Sequence, residues 1–109
     1  MAKTINFKYE GVDYTLEYTR ASVITMEKQG FNINDVGDKP LSTLPTLFAG
    51  AFLAHHRYVK RETIDAIFEK MTNKMELVMK LAEMYNEPIT ALVDEPGESE
   101  GNLEWGANW

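Results

Sequence analysis

Hydrophobic and polar positions alternate over residues 4–18. Ile5, Phe7 and Tyr9 fall on one face with Asn6 and Lys8 opposite, and after Glu10-Gly11 the residues Val12, Tyr14, Leu16 and Tyr18 alternate with Asp13, Thr15 and Glu17. A period of two around a short turn predicts a β-hairpin, with Gly11 supplying the positive φ that a tight turn needs. A lone hairpin is marginal in water, so its aromatic face must pack on the helices that follow or on another copy of the chain.

The period then changes. A first helix is predicted over Arg20–Gln29, with Thr19 as its N-cap, Gly30 at the left-handed position after its end, and Phe31 folding back on Met26. The stretch Asn32–Pro40 is a polar connection rich in turn formers. A second helix is predicted to begin near Ser42 or Thr43 with Pro45 in its first turn. Its apolar stripe is Leu44, Leu47, Phe48, Ala51 and Phe52, widened by Leu53. This is the most hydrophobic segment and the expected central helix. Gly50 and the alanines Ala49, Ala51 and Ala54 would let another backbone approach it closely. A third helix is predicted over Arg61–Met71, burying Ile64, Ile67, Phe68 and Met71. Asn73 and Glu76 have the spacing of a capping box. They open a fourth helix with Leu77, Val78, Leu81, Met84 and Tyr85 inward, ended or kinked by Pro88, with a further turn possible over Pro88–Val93. A hairpin followed by about four helices is an α+β arrangement, predicted as one compact domain over residues 1–93.

Residues 94–109 break both patterns. They read D-E-P-G-E-S-E-G-N-L-E-W-G-A-N-W, with five carboxylates, no Lys or Arg, and two tryptophans. The chain carries 17 acidic and 11 basic residues, a balance of −6, and almost all of that charge lies in this segment. Low hydrophobicity with like charges predicts a disordered acidic tail. Trp105 and Trp109 are out of place in such a setting, because Trp contributes large apolar area when buried. A nearly neutral domain with an acidic, aromatic-tipped tail suits a protein that contacts other proteins.

The remaining composition removes whole classes of chemistry. There is no Cys, which excludes disulfides, thiolate zinc sites and Cys nucleophiles. No apolar run reaches the ~20 residues that span a bilayer, and the opening M-A-K-T-I-N-F-K-Y lacks the apolar core of a signal peptide, so a cytoplasmic location is expected. His55 and His56 are adjacent, about 100° apart on a helix, rather than at the i, i+4 spacing that suits zinc. They read as a polar, partly solvated helix end. His55–Arg61 is the one basic patch, with Arg57, Lys60 and Arg61 close together. Three cations on an acidic chain are few for nucleic acid, so the patch reads as solvated or as a contact for an acidic surface. Ser22, Ser42 and Ser99 have no partner base in the sequence, and no phosphate-binding glycine loop occurs. No metal, cofactor or catalytic residue is predicted.

Six methionines occur, and Met71, Met75, Met79 and Met84 cluster in the last two helices. Such clusters read first as core filler and second as an adaptable groove for apolar helices. Met75 and Met79 lie off the Leu77/Leu81/Met84 face.

This order of features resembles the small tail assembly chaperones of long-tailed bacteriophages, with those of Gram-positive phages and prophages nearest in pattern. The opening I-N-F-K-Y-E-G-V-D-Y-T-L-E-Y-T-R-A-S-V-I-T-M-E-K-Q-G-F (5–31) is similar to the start of that family. It runs strand, glycine turn, strand ending in an aromatic, then a helix with a Met-Glu pair before Gly. L-S-T-L-P-T-L-F-A-G-A-F-L-A-H-H-R (41–57) resembles the family's small-residue helix, and K-R-E-T-I-D-A-I-F-E-K-M (60–71) the helix after it. The resemblance covers roughly residues 4–93 and is one of pattern and order, without a signature motif. It implies a non-catalytic protein that binds the apolar, helical tape-measure protein, helps recruit tail-tube subunits and is absent from the finished virion. It also implies a short form of a protein made in two lengths by frameshifting, acting in the host bacterial cytoplasm. On this reading Phe48, Phe52, Met75 and Met79 contact the client, and Trp105 and Trp109 dock as aromatic anchors. The hairpin edges offer a route to self-association. The competing reading is a small phage or prophage structural or adaptor protein. A nucleic-acid-binding regulator comes next, and a small enzyme last.

Overall fold

The computed structural model describes residues 3–93 and 106–108. Among these, strands β1 (Ile5–Tyr9) and β2 (Val12–Leu16) precede helices α1 (Arg20–Lys28), α2 (Pro40–Gly50), α3 (Arg61–Lys70) and α4 (Lys74–Val93). A short 3-10 turn, Ile33–Val36, lies between α1 and α2. The α+β order predicted from the sequence is the observed one. The predicted acidic tail falls outside the described residues, apart from 106–108, which are exposed and without regular structure.

β1 and β2 pair antiparallel, with Ile5 opposite Leu16, Phe7 opposite Tyr14 and Tyr9 opposite Val12. Glu10 and Gly11 have φ of 49° and 82°, the left-handed pair of a type I′ turn, whose twist matches that of the strands. This register places the hairpin's apolar side chains on one face. Phe7 stacks on Tyr14 at 5.3 Å between ring centroids, and Tyr14 meets Phe52 edge-on at 5.7 Å.

α1 opens as predicted. Thr19 accepts from the Ser22 backbone, and Ser22 Oγ accepts from the Thr19 backbone, closing a capping box. Its other end is a Schellman motif. Gly30 has φ 92°, its N–H donates to Glu27 O, and Phe31 N–H donates to Met26 O at 3.0 Å. The Phe31 ring lies edge-on to Tyr85, 5.5 Å away.

α2 begins earlier than predicted, with Pro40 in its first position and Pro45 inside it. Pro40 is preset for a helix start because its fixed φ is helical and its missing N–H would be unpaired there anyway. Asn73 does not close a capping box. It has φ 56°, its carbonyl accepts from Leu77 N–H, and Lys74 Nζ turns back to Glu69 O and Met71 O at the end of α3. Pro88 does not end α4, and the further turn expected over Pro88–Val93 is present, as part of the same helix. Pro88 forfeits one backbone bond, while buried Met84 and Tyr85 in the preceding turn anchor the helix to the core.

The core is formed by Tyr14, Leu16 and Tyr18 from the hairpin side, Val23 and Met26 from α1, Leu47, Phe48, Ala51 and Phe52 from α2 and its continuation, Ile64 and Ile67 from α3, and Leu81, Met84 and Tyr85 from α4. Phe48 and Phe52 are central to it, 5.2 Å apart, and Phe48 also contacts Phe68. No helix among the described residues is long and apolar enough to cross a membrane.

Candidate protein-binding surface

The residues predicted to contact a client divide sharply. Phe48 and Phe52 are 0% and 1% exposed, so they are corrected from surface contacts to core residues. The apolar stripe of α2 faces its own domain, where the hairpin aromatics and α3 cover it. Met75 and Met79 are 83% and 68% exposed, against 4% for Met84. The methionine cluster therefore splits between core and surface. Trp105 and Trp109 lie outside the described residues.

Helical geometry explains the split. Positions 77, 81, 84 and 85 of α4 share one side and are buried or half-buried. Met75, Met79, Ala82, Asn86 and Ile89 follow one another at steps of four, three, four and three, and so share the opposite side. Met75, Met79, Asn86 and Ile89 are exposed and Ala82 is half-buried. α4 thus has two apolar faces, one docked on the core and one outward, the second broken by the amide of Asn86. The sequence reading found the methionines but missed Ala82 and Ile89, because it followed the inward Leu77, Leu81 and Met84 stripe alone. The four-three spacing starting from Met75 was the available signal.

Charges border this outer face. Glu76, Glu83 and Lys80 are exposed beside it. Lys3 Nζ reaches Glu83 Oε1 at 2.6 Å, tying the start of the hairpin to the middle of α4. That hydrogen bond is the main cause of a raised Lys3 pKa and a lowered Glu83 pKa. A cleft of about 420 Å³ lies between this region and α1. Tyr18, Arg20, Met84, Glu87, Pro88 and Leu92 are among its lining residues. Glu87 Oε2 is shielded from solvent there without a hydrogen-bond partner. The cleft pairs no nucleophile with a base, and among the described residues no group of three or more His, Asp or Glu is placed to hold a metal ion.

The histidines have a different role from the predicted one. α2 ends at Gly50, so His55 and His56 lie in the turns beyond it rather than at a helix end. His55 Nε2 contacts Glu17 Oε1 at 2.7 Å, and His56 Nε2 accepts the Thr15 backbone N–H at 3.0 Å. In the basic patch, Arg61 Nε donates to Asp65 at 3.0 Å, which neutralises part of it, and Tyr58 projects into solvent. The main unpartnered chemistry on α4 is apolar and helical.

A family model matches the chain over residues 1–109, described as a domain of unknown function, DUF5055, and the chain belongs to that family. No curated protein and no solved structure matches it.

Proposed function

We propose that this member of the DUF5055 family is a phage tail assembly chaperone that binds and solubilises the tape-measure protein during tail morphogenesis, without catalysis. One observation carries the reading beyond the resemblance in residues 4–93. The outer face of α4 presents Met75, Met79 and Ile89 to solvent at helix-packing spacing, on a helix already anchored by its other side. A client with exposed apolar helical faces needs a partner of this kind, since an amphipathic helix is recognised by anchors at successive turns. Methionine suits such a surface because its unbranched, polarisable side chain adapts to varied neighbours. A net charge of −6 favours solubility of the complex. The protein acts in the host cytoplasm, where tape-measure and tail-tube subunits are made.

Co-expression with the tape-measure protein of the same tail gene cluster tests this. The client is expected to become soluble only with this chain and to elute with it. Met75→Glu with Met79→Glu is expected to abolish co-purification while the far-ultraviolet circular dichroism stays unchanged. A client that remains insoluble and unbound beside the intact chain would overturn the reading in favour of a structural or adaptor protein, which mass spectrometry of purified virions would then detect in the particle.

A further inference from the structure

We infer that His56 is a proton-operated latch on the outer edge of β2. In a hairpin closed by a two-residue turn, Tyr9–Val12, Phe7–Tyr14 and Ile5–Leu16 are the hydrogen-bonded pairs, so the N–H groups of Asp13, Thr15 and Glu17 point away from β1. Two of these find partners in the segment after α2. Glu17 N–H donates to Ala51 O at 3.0 Å, and Thr15 N–H donates to His56 Nε2 at 3.0 Å. The first bond is indifferent to pH across the neutral range. The second requires a lone pair on Nε2, so the ring is neutral and carries its proton on Nδ1. A second proton would set one N–H against another and abolish the bond.

The surroundings keep the latch closed near neutrality. The His56 ring packs 5.0 Å from Tyr14 and 6.4 Å from Phe52. Burial, followed by the neighbouring His55, lowers the His56 pKa from its ordinary value. The titratable groups facing it are Tyr14 from β2 and His55 from its own segment, with Glu17 one step away through its contact with His55. The Glu17 N–H bond to the Ala51 carbonyl has no titrating partner. Acidification therefore releases the middle of β2 at Thr15 while the strand's end stays held.

Nuclear magnetic resonance on the full chain between pH 5 and 8 tests the latch. At pH 7.5 His56 is expected as the Nδ1–H tautomer, with the Thr15 amide protected from exchange. Below the His56 midpoint, Thr15 protection, corrected for intrinsic exchange, is expected to fall at least tenfold relative to that of Glu17. His55→Gln should retain this release, and His56→Gln, whose amide oxygen accepts without titrating, should remove its pH dependence. An Nε2–H tautomer at pH 7.5, or Thr15 protection that does not change through the His56 midpoint, would overturn the proposal in the wild-type chain, whatever the variants do.

Discussion

The Tyr18 hydroxyl donates to the Leu47 carbonyl, joining the second residue beyond β2 to the last turn of α2. In a continued helix Leu47 would accept from Ala51 N–H, but that group turns to Phe48 O at 3.1 Å as α2 ends. Tyr18 thus satisfies a buried carbonyl at a helix terminus, and its ring packs edge-on against Tyr85 at 5.4 Å. Tyr18→Phe keeps the ring and orphans the carbonyl, a loss expected at about 1–3 kcal/mol in urea unfolding.

The same tyrosine sets a limit at alkaline pH. Burial raises the Tyr18 pKa well above the ordinary tyrosine value, and Tyr85 is also raised by burial. Between the unfolded and folded values the native state holds more protons, so stability is full below about pH 10 and falls as pH rises further. Denaturation midpoints measured from pH 8 to 11 should show this decline, and Tyr18→Phe should flatten it.

Gly50 sits against Met26. A Cβ at position 50 would overlap Met26 Sδ and Cε, and Met26 is 1% exposed with little room to move. Gly50→Ala gains helix propensity of about 1 kcal/mol, but overpacking a filled core costs ~1–3 kcal/mol. A net loss near 1 kcal/mol is expected, and Gly50→Val should be worse. A double-mutant cycle with Met26→Ala should show favourable coupling, since the shortened side chain vacates the space.

The hairpin turn is suboptimal at one position. Glu10 holds φ 49° without the tolerance of Asn or Gly for that region. Glu10→Asn creates the preferred Asn-Gly turn and is expected to stabilise the fold by about 0.5–1 kcal/mol. Gly11→Ala, at φ 82°, should destabilise it by roughly 1–2 kcal/mol. Thermal melts of the two variants should move in opposite directions.

Burial separates the two pairs of candidate contacts experimentally. Phe52→Ala should cost ~3–5 kcal/mol, because it opens a cavity between the hairpin and α2. Met79→Ala, on the exposed face of α4, should change stability by no more than ~0.5 kcal/mol. A large loss for Met79→Ala would mean that this face is already covered in solution, and sedimentation would then reveal self-association.

The local signals in the sequence translated well. Alternation around Gly11, the Thr19 cap, the Gly30 terminus and the helical stripes of α3 and α4 each depend on residues a few positions apart. Backbone sterics and the two side-chain periods suffice for those, and they determine the α+β order. The failures were of two kinds. Pro40 and Asn73 are punctuation marks with more than one allowed use, and Pro88, which the sequence left open between an end, a kink and a further turn, sits inside α4 because packing on the core outweighs one lost backbone bond.

The other kind required the tertiary structure. An apolar stripe states that a helix face wants cover but not what covers it. Phe48 and Phe52 therefore looked as available as Met75 and Met79, but the hairpin aromatics cover Phe52 and Phe68 of α3 packs on Phe48. The bond from Thr15 to His56 spans 41 residues and has no local signature. Sequence alone determined the elements and their order, because those follow from nearest-neighbour physics. Which apolar faces are spent on the core, and which stays exposed, was decided by packing between distant segments.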